Sequence, residues 1–149
     1  MRLLLFLAFV LPVFTLQAQN DTVSTASGLK YFYLAKGKGP TATPGAKVSV
    51  HYTGRFLDEK VFDSSEGEAP IKLKAGTGQV IKGWDEMLLL MRAGDEVEVI
   101  IPATLAYGSR GVPDPGQPSG YRIPPGSTLK FRMKLVEVTE AKKKFNREL

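Results

Sequence analysis

The sequence predicts an α+β fold: one curved antiparallel β-sheet wrapped around a single short α-helix. Three observations predict it. Four stretches alternate apolar and polar residues with a period of two, the mark of strands buried on one face only. One segment, Gly83–Arg92, breaks that alternation with a run of Leu and Met, and a helix so apolar must be largely buried. The 149 residues include 15 glycines and 10 prolines, which favour turns and strands over long helices.

The chain opens on a stretch that reads as a secretory signal. Arg2 supplies a positive start, Leu3–Phe14 is apolar except for Pro12, and Thr15-Leu16-Gln17-Ala18 ends on a small residue suited to cleavage. This run is shorter than the roughly 20 apolar residues of a membrane span. No cysteine follows it, so a lipoprotein anchor is excluded. Export is therefore expected, to a periplasm first and to the outside as the variant, with an uncleaved membrane anchor as the alternative. Residues 19–27 are small and polar, as in a linker.

One domain is expected over residues 28–139. Leu29, Tyr31 and Tyr33 mark a first strand; Val48, Val50 and Tyr52 a second. Val97, Val99 and Ile101 mark a third, and Leu129, Phe131, Met133 and Leu135 a fourth. A weaker strand fits Ile71–Lys74. In the helix, Asp85 and Glu86 are placed in the first turn, where they complement the dipole, and Gly94 is the expected stop. Residues 140–149 form a charged tail, frayed or a short exposed helix.

Composition excludes several chemistries. There is no cysteine, so disulfides and thiolate chemistry are absent, and one histidine cannot build a multi-histidine metal site. The net charge of +5 is a mild excess that reads as a solvated basic surface rather than a nucleic-acid footprint. His51 with Ser64 or Ser65 could suggest a base and a nucleophile, but no motif links them. Asp58, Glu59, Asp63, Glu66 and Glu68 lack the regularity of a calcium loop and read as a solvated turn. What remains is aromatic: Tyr52, Phe62, Trp84, Tyr107, Tyr121 and Phe131, for which plain core packing is the competing explanation. Tyr107 leads into a loop crowded with Gly and Pro, where its hydroxyl is better placed for a ligand than for burial.

Five runs then carry a resemblance. His51-Tyr52-Thr53-Gly54, Phe62-Asp63-Ser64-Ser65, Val80-Ile81-Lys82-Gly83-Trp84, Ala106-Tyr107-Gly108 and Ile123-Pro124-Pro125 resemble, in order, the FKBP family of peptidyl-prolyl isomerases. The resemblance spans roughly Gly28 to Val138, with closely similar spacing through Tyr107. It implies an FKBP-like fold and cis–trans isomerisation of X-Pro bonds, with no cofactor and no metal. It also implies roles. Trp84 is the pocket floor; Tyr52, Phe62, Val80, Ile81 and Phe131 are walls. Ile81 offers its backbone N–H, and Tyr107 donates from the rim. Asp63 is the polar group beside Tyr52, and Ile123 lines the lid side. Tyr52, Asp63 and Tyr107 are the catalytic set so implied.

Such a site needs no nucleophile. The barrier to peptide rotation, about 18–20 kcal/mol, comes from resonance that a twisted amide loses. An apolar pocket disfavours the polar planar amide more than the twisted one, and that difference is catalysis. The implied partners are unfolded or partly folded proteins with X-Pro bonds, and a macrolide ligand. The loop Gly108–Arg122 is longer than in the small members, Ile71 and Leu73 stand where phenylalanine is common, and Leu105 is aliphatic. The long loop and Tyr121 are expected to change the residue preferred before proline and to oppose tight macrolide binding. A holdase-type chaperone or proline-motif binding module with incidental isomerase activity is the alternative. The stretch before Gly28 is short for a dimerising arm, so a monomer is expected.

Overall fold

The structure is a computed structural model that describes residues 21–140. The expected signal at 1–18, the start of the linker and nearly all of the charged tail lie outside the described residues. No described helix is long and apolar enough to cross a membrane.

The described chain runs β1 (Val23–Ser24), β2 (Lys30–Ala35), β3 (Lys47–Arg55), β4 (Val61–Ser64) and β5 (Ile71–Lys74). It continues through α1 (Lys82–Leu90), β6 (Glu96–Ile101), a 3-10 turn at Ala103–Leu105, β7 (Val112–Pro113), β8 (Tyr121–Ile123) and β9 (Leu129–Thr139). Seven strands make one antiparallel sheet in the order β1-β2-β6-β9-β3-β4, with β5 also pairing with β3. β5 pairs with the first half of β3 (Val48 with Leu73) and β4 with its second half (Thr53 with Ser64). The edge beyond β3 is thus split in two. β7 and β8 form a separate hairpin.

The four alternating stretches are β2, β3, β6 and β9, and their apolar residues face one core. Leu29, Val48, Val50, Val97, Val99, Leu129, Met133 and Leu135 are essentially inaccessible there. On β9 a register shift opposite Ser49 and Val50 leaves Val136 as an extra residue. The alternation slips by one there, so Val138 points inward while Val136 and Glu137 are exposed. The outer face is charged and cross-paired: Arg55 with Glu98 at 3.2 Å and Arg132 with Glu96 at 2.5 Å. Lys130 binds both Glu59 and Glu98.

α1 lies in the concavity and buries Gly83, Trp84, Met87 and Leu88. Gly83 allows the close approach: a Cβ there would meet Ile101 Cγ2 at 2.5 Å. The helix ends earlier than the sequence indicates. Met91 is already extended, and Gly94 (φ 95°) serves instead the turn Arg92–Asp95 that leads into β6. The acidic pair is also used differently. Asp85 is in the first turn, but its carboxylate receives the N–H groups of Gly76 and Gly78, at 3.0 and 2.6 Å. Glu86 lies beyond the first turn and accepts the Ser27 hydroxyl. Part of the expected linker is structure: Val23 and Ser24 pair with Tyr31 and Lys30.

Candidate active site

The sheet opens on one side into a cavity of about 210 Å³, lined by Tyr52, Phe62, Asp63, Ile71, Gln79, Val80, Ile81, Trp84, Tyr107 and Phe131. These side chains come from β3, β4, β5, the approach to α1, α1 itself, β9 and the segment after the 3-10 turn. The sheet's closure on the helix is what brings them together.

Trp84, in the first turn of α1, is 4% exposed and forms the inner wall. Two rings pack edge-on against it, and a third extends the box. Tyr52 is 5.0 Å from the indole at 80°, and Phe131 is 5.4 Å away at 86°. Phe62 meets Phe131 at 5.6 Å and 89°. Edge-to-face geometry sets the positive edge of one ring against the negative face of the next, worth about 0.5–1.5 kcal/mol per pair beyond burial. The box is therefore held by its own rings. Gly54 gives them room: a Cβ there would come within 2.7 Å of both Phe131 and Phe62.

Phe62 and Asp63 reach the same cavity although regular strand neighbours face opposite ways. Gly54 pairs with Asp63 and Arg55 with Val61, so Phe62 is the extra residue of a bulge in β4. The bulge re-aims it.

The polar side of the box is small. The Tyr52 hydroxyl donates to Asp63 Oδ2 at 2.9 Å, and the other oxygen, Oδ1, accepts the Ser64 N–H at 3.1 Å. Arg122, from β8, places Nη2 3.4 Å from Asp63 Oδ1 and donates to the Phe62 carbonyl. Burial, and then donation to Asp63, push the Tyr52 phenol up to about 12. Partial burial and then the Asp63 charge also raise the Tyr107 phenol. Both are neutral donors near neutral pH. Tyr107 is 39% exposed at the mouth, and its hydroxyl makes no hydrogen bond within the described residues. Ile81 caps α1 without a side-chain bond.

Eight of the nine residues singled out from the sequence line this cavity. Ile123 does not: it is 4% exposed and belongs to the core cluster, paired with Val112 in the lid hairpin. Its burial supports the base of the lid rather than the cavity wall. Ile71, Gln79 and Arg122 are the additions. Ile71 sits in the weakly patterned strand, and Gln79 precedes the Val80–Trp84 run, so adjacency could have flagged both. Arg122 is far from Asp63 along the chain, and no local signal marks it.

The structure does bring His51 and Ser65 together, with Nδ1 3.1 Å from Oγ. Ser65 is 3% exposed, and its Oγ also accepts the Tyr52 N–H at 2.9 Å. The hydroxyl is committed to tying β3 to the chain after β4 and offers no nucleophile. The acidic run is likewise employed locally. Asp58 accepts the Lys60 N–H at 3.0 Å and Glu59 pairs with Arg55 and Lys130, and no acidic or histidine cluster among the described residues could hold a metal ion.

Fold and site together define a binder of a compact apolar ring, with a polar fringe that can address the groups attached to it. Comparison with known proteins agrees. The sequence model of the FKBP-type peptidyl-prolyl cis-trans isomerase family matches residues 39–136, and the chain belongs to that family. FK506-binding protein 4 of Neurospora crassa is 42% identical over 119 residues, covering 80% of this chain and 24% of that protein. Macrophage infectivity potentiator of Trypanosoma cruzi is 42% identical over 128 residues, covering 85% of this chain and 61% of that protein. The chain thus spans less than two thirds of the length of these curated relatives. A crystal structure of a peptidyl-prolyl cis-trans isomerase from Pseudomonas syringae superposes with a TM-score of 0.70 at 31% identity, covering 83% of this chain and 84% of that one.

Proposed function

We propose that this protein catalyses cis–trans isomerisation of X-Pro bonds in unfolded or partly folded polypeptides. The observation that carries it is the ring box on Trp84, closed by aromatic edges and fringed by one hydrogen-bonded phenol–carboxylate pair and by the exposed Tyr107 phenol at its mouth. A proline ring is the one ordinary side chain that is compact, apolar and fused to the backbone amide nitrogen. Seating it in the box holds the prolyl bond at the mouth.

X-Pro bonds isomerise spontaneously over tens to hundreds of seconds. The planar amide is charge-separated and well solvated; the twisted amide is less so. Withdrawing the bond from water into aromatic walls therefore costs the ground state more than the transition state. Tyr107 stands at the mouth with a donor that no group among the described residues claims, available to a substrate carbonyl. Asp63 stays occupied by Tyr52 and Arg122, which holds the wall in shape and keeps its charge from facing the substrate alone.

A protease-free isomerisation assay on a proline peptide tests this with Tyr107→Phe and Asp63→Ala. Losing one hydrogen bond is worth about 0.5–1.5 kcal/mol, so Tyr107→Phe should lower kcat/KM roughly two- to tenfold. Asp63→Ala should lower it further, because it releases both Tyr52 and Arg122. Unchanged rates in both variants would remove the site from the reaction.

Residues 1–18 support a further part of the proposal, export of the protein. Amino-terminal sequencing of the protein from its native cells should begin after residue 18.

A further inference from the structure

The outer face of the sheet carries two different surfaces. At one end Arg55, Lys130 and Arg132 each meet a glutamate. At the other end, over the first half of β3, the strands β5, β3 and β9 set two rows of residues side by side. Lys74, Lys47 and Thr139 make one row; Lys72, Ser49 and Glu137 make the other. The two rows are two residues apart along each strand, so all six side chains face the same way. They line a recess of about 550 Å³. Lys47, Lys72 and Lys74 are exposed and make no ion pair among the described residues. Glu137 is the one acidic side chain lining the recess, against three lysines.

Two features set the recess apart from a solvated basic surface. Lys47 stands directly opposite Lys74, and like charges so placed repel. Lysines on an edge strand guard it against pairing with other chains, which accounts for Lys72 and Lys74 on β5. It does not account for Lys47, because β3 is an interior strand paired on both sides. The second feature is Ser49, at the centre. It is 7% exposed, and its hydroxyl makes no hydrogen bond among the described residues and opens on the recess. Polar groups so deeply set are ordinarily bonded. A donor on the floor, ringed by lysines, is matched by an anionic acceptor.

We propose that this recess seats the phosphate group of an anionic phospholipid and so docks the protein on a membrane surface. Lysines suit a phosphate, which a compact ammonium meets from any direction; a planar carboxylate favours the fork of an arginine. A lipid is the source that fits the placement. The lysines stand on the exposed outer face, and the sequence continues from Thr139 to Lys142-Lys143-Lys144. Three residues span at most about 11 Å, so the chain itself keeps the start of that basic run near the recess. Clusters of about four to eight basic residues are what anionic headgroups attract. Docking here leaves the ring box open. Ile71 lines the box, and Lys72, next along β5, faces the opposite side of the sheet. The proposal does not depend on the isomerase reading.

Co-sedimentation of the full chain with vesicles tests it, using phosphatidylcholine alone and phosphatidylcholine mixed two to one with phosphatidylglycerol. Any apolar affinity of residues 1–18 counts equally for both, so the difference between the vesicles is the readout. The wild type should prefer the anionic vesicles, and added salt should weaken that preference. The combined variant Lys47→Gln, Lys72→Gln, Lys74→Gln should reduce it about a hundredfold, at roughly fivefold per lysine. Ser49→Ala removes no charge and should reduce it about two- to tenfold. The combined variant Lys30→Gln, Lys36→Gln, Lys38→Gln, made around β2 on the far side of the sheet, removes the same charge and should lose far less. Inorganic phosphate should release the protein at a lower ionic strength than chloride does. Thermal midpoints and isomerisation rates of the lysine variants should be no lower than those of the wild type, which separates a lost site from a lost fold. No preference for the anionic vesicles, an equal loss in the far-side variant, or an undiminished preference in Ser49→Ala would each overturn the seat. So would release by phosphate no easier than by chloride. Tighter capture by immobilised polyglutamate than by the anionic vesicles would also overturn it, because an acidic polypeptide would then be the partner.

Discussion

Arg122 Nη2 stands 3.4 Å from Asp63 Oδ1, an ion pair that joins the lid hairpin to the bulged strand β4. The same nitrogen donates to the Phe62 carbonyl. One side chain therefore restrains the lid, the aromatic wall and the carboxylate that receives the Tyr52 hydroxyl. Both partners are about half exposed, and such pairs add only about 0–1 kcal/mol to stability.

Arg122→Ala should therefore shift the thermal midpoint little and lower kcat/KM several-fold. Arg122→Lys keeps the charge without the planar guanidinium that reaches two acceptors at once, and should recover only part of the rate. Parallel measurements of thermal unfolding and isomerisation decide this. A stability loss as large as the activity loss would make Arg122 a structural brace alone.

Tyr52 provides a test in pH. Its folded phenol is raised to about 12, first by burial and then by donation to Asp63. An ordinary phenol titrates near 10. A raised value means that the folded protein holds the proton more tightly than the unfolded chain. The resulting stability is fully present below pH 10 and is lost as pH rises through 12. Urea midpoints of the wild type and Tyr52→Phe should therefore converge over that window. Parallel curves would show that Tyr52 does not hold its proton in the fold.

Gly54→Ala tests the ring box without removing a ring. The new methyl would stand 2.7 Å from both Phe62 and Phe131, closer than real Cβ contacts, so a wall must move. Overpacking of this kind costs about 1–3 kcal/mol. Because the displaced groups are the cavity walls, the isomerisation rate should fall by more than the loss of folded protein accounts for. A variant with normal kcat/KM per folded molecule would show that the box tolerates distortion.

Met87 and Leu88 are inaccessible to solvent on the buried side of α1. Truncating either to alanine should cost about 2–5 kcal/mol, through lost burial and the cavity left behind. Leu90→Ala, at an exposed position on the same helix, should cost far less. Chemical denaturation of the three variants checks the contrast. Equal losses would mean that the helix is not seated in the concavity of the sheet.

The sequence by itself determined the strand faces, the buried helix and most of the pocket residues. The reason is that periodicity and burial are local. Alternation along β2, β3, β6 and β9 states which side meets the core, and an apolar run of nine or ten residues must be covered. Short elements escaped. β1, β7 and β8 have two or three residues each, too few to show a period, and β4 hides its pattern because a bulge interrupts it.

Only the tertiary structure decided how the polar fringe of the box is assembled. It turned the neighbours Phe62 and Asp63 into one cavity through the extra residue in β4, and it supplied Arg122 from a hairpin distant in the chain. It also withdrew Ile123 into the core, kept Asp85 in the first turn while binding it to the Gly76 and Gly78 N–H groups, and set Glu86 beyond that turn against Ser27. In each case the partner comes from a separate element or a broken register. Residue type and spacing carry no record of either until the sheet has closed on its helix.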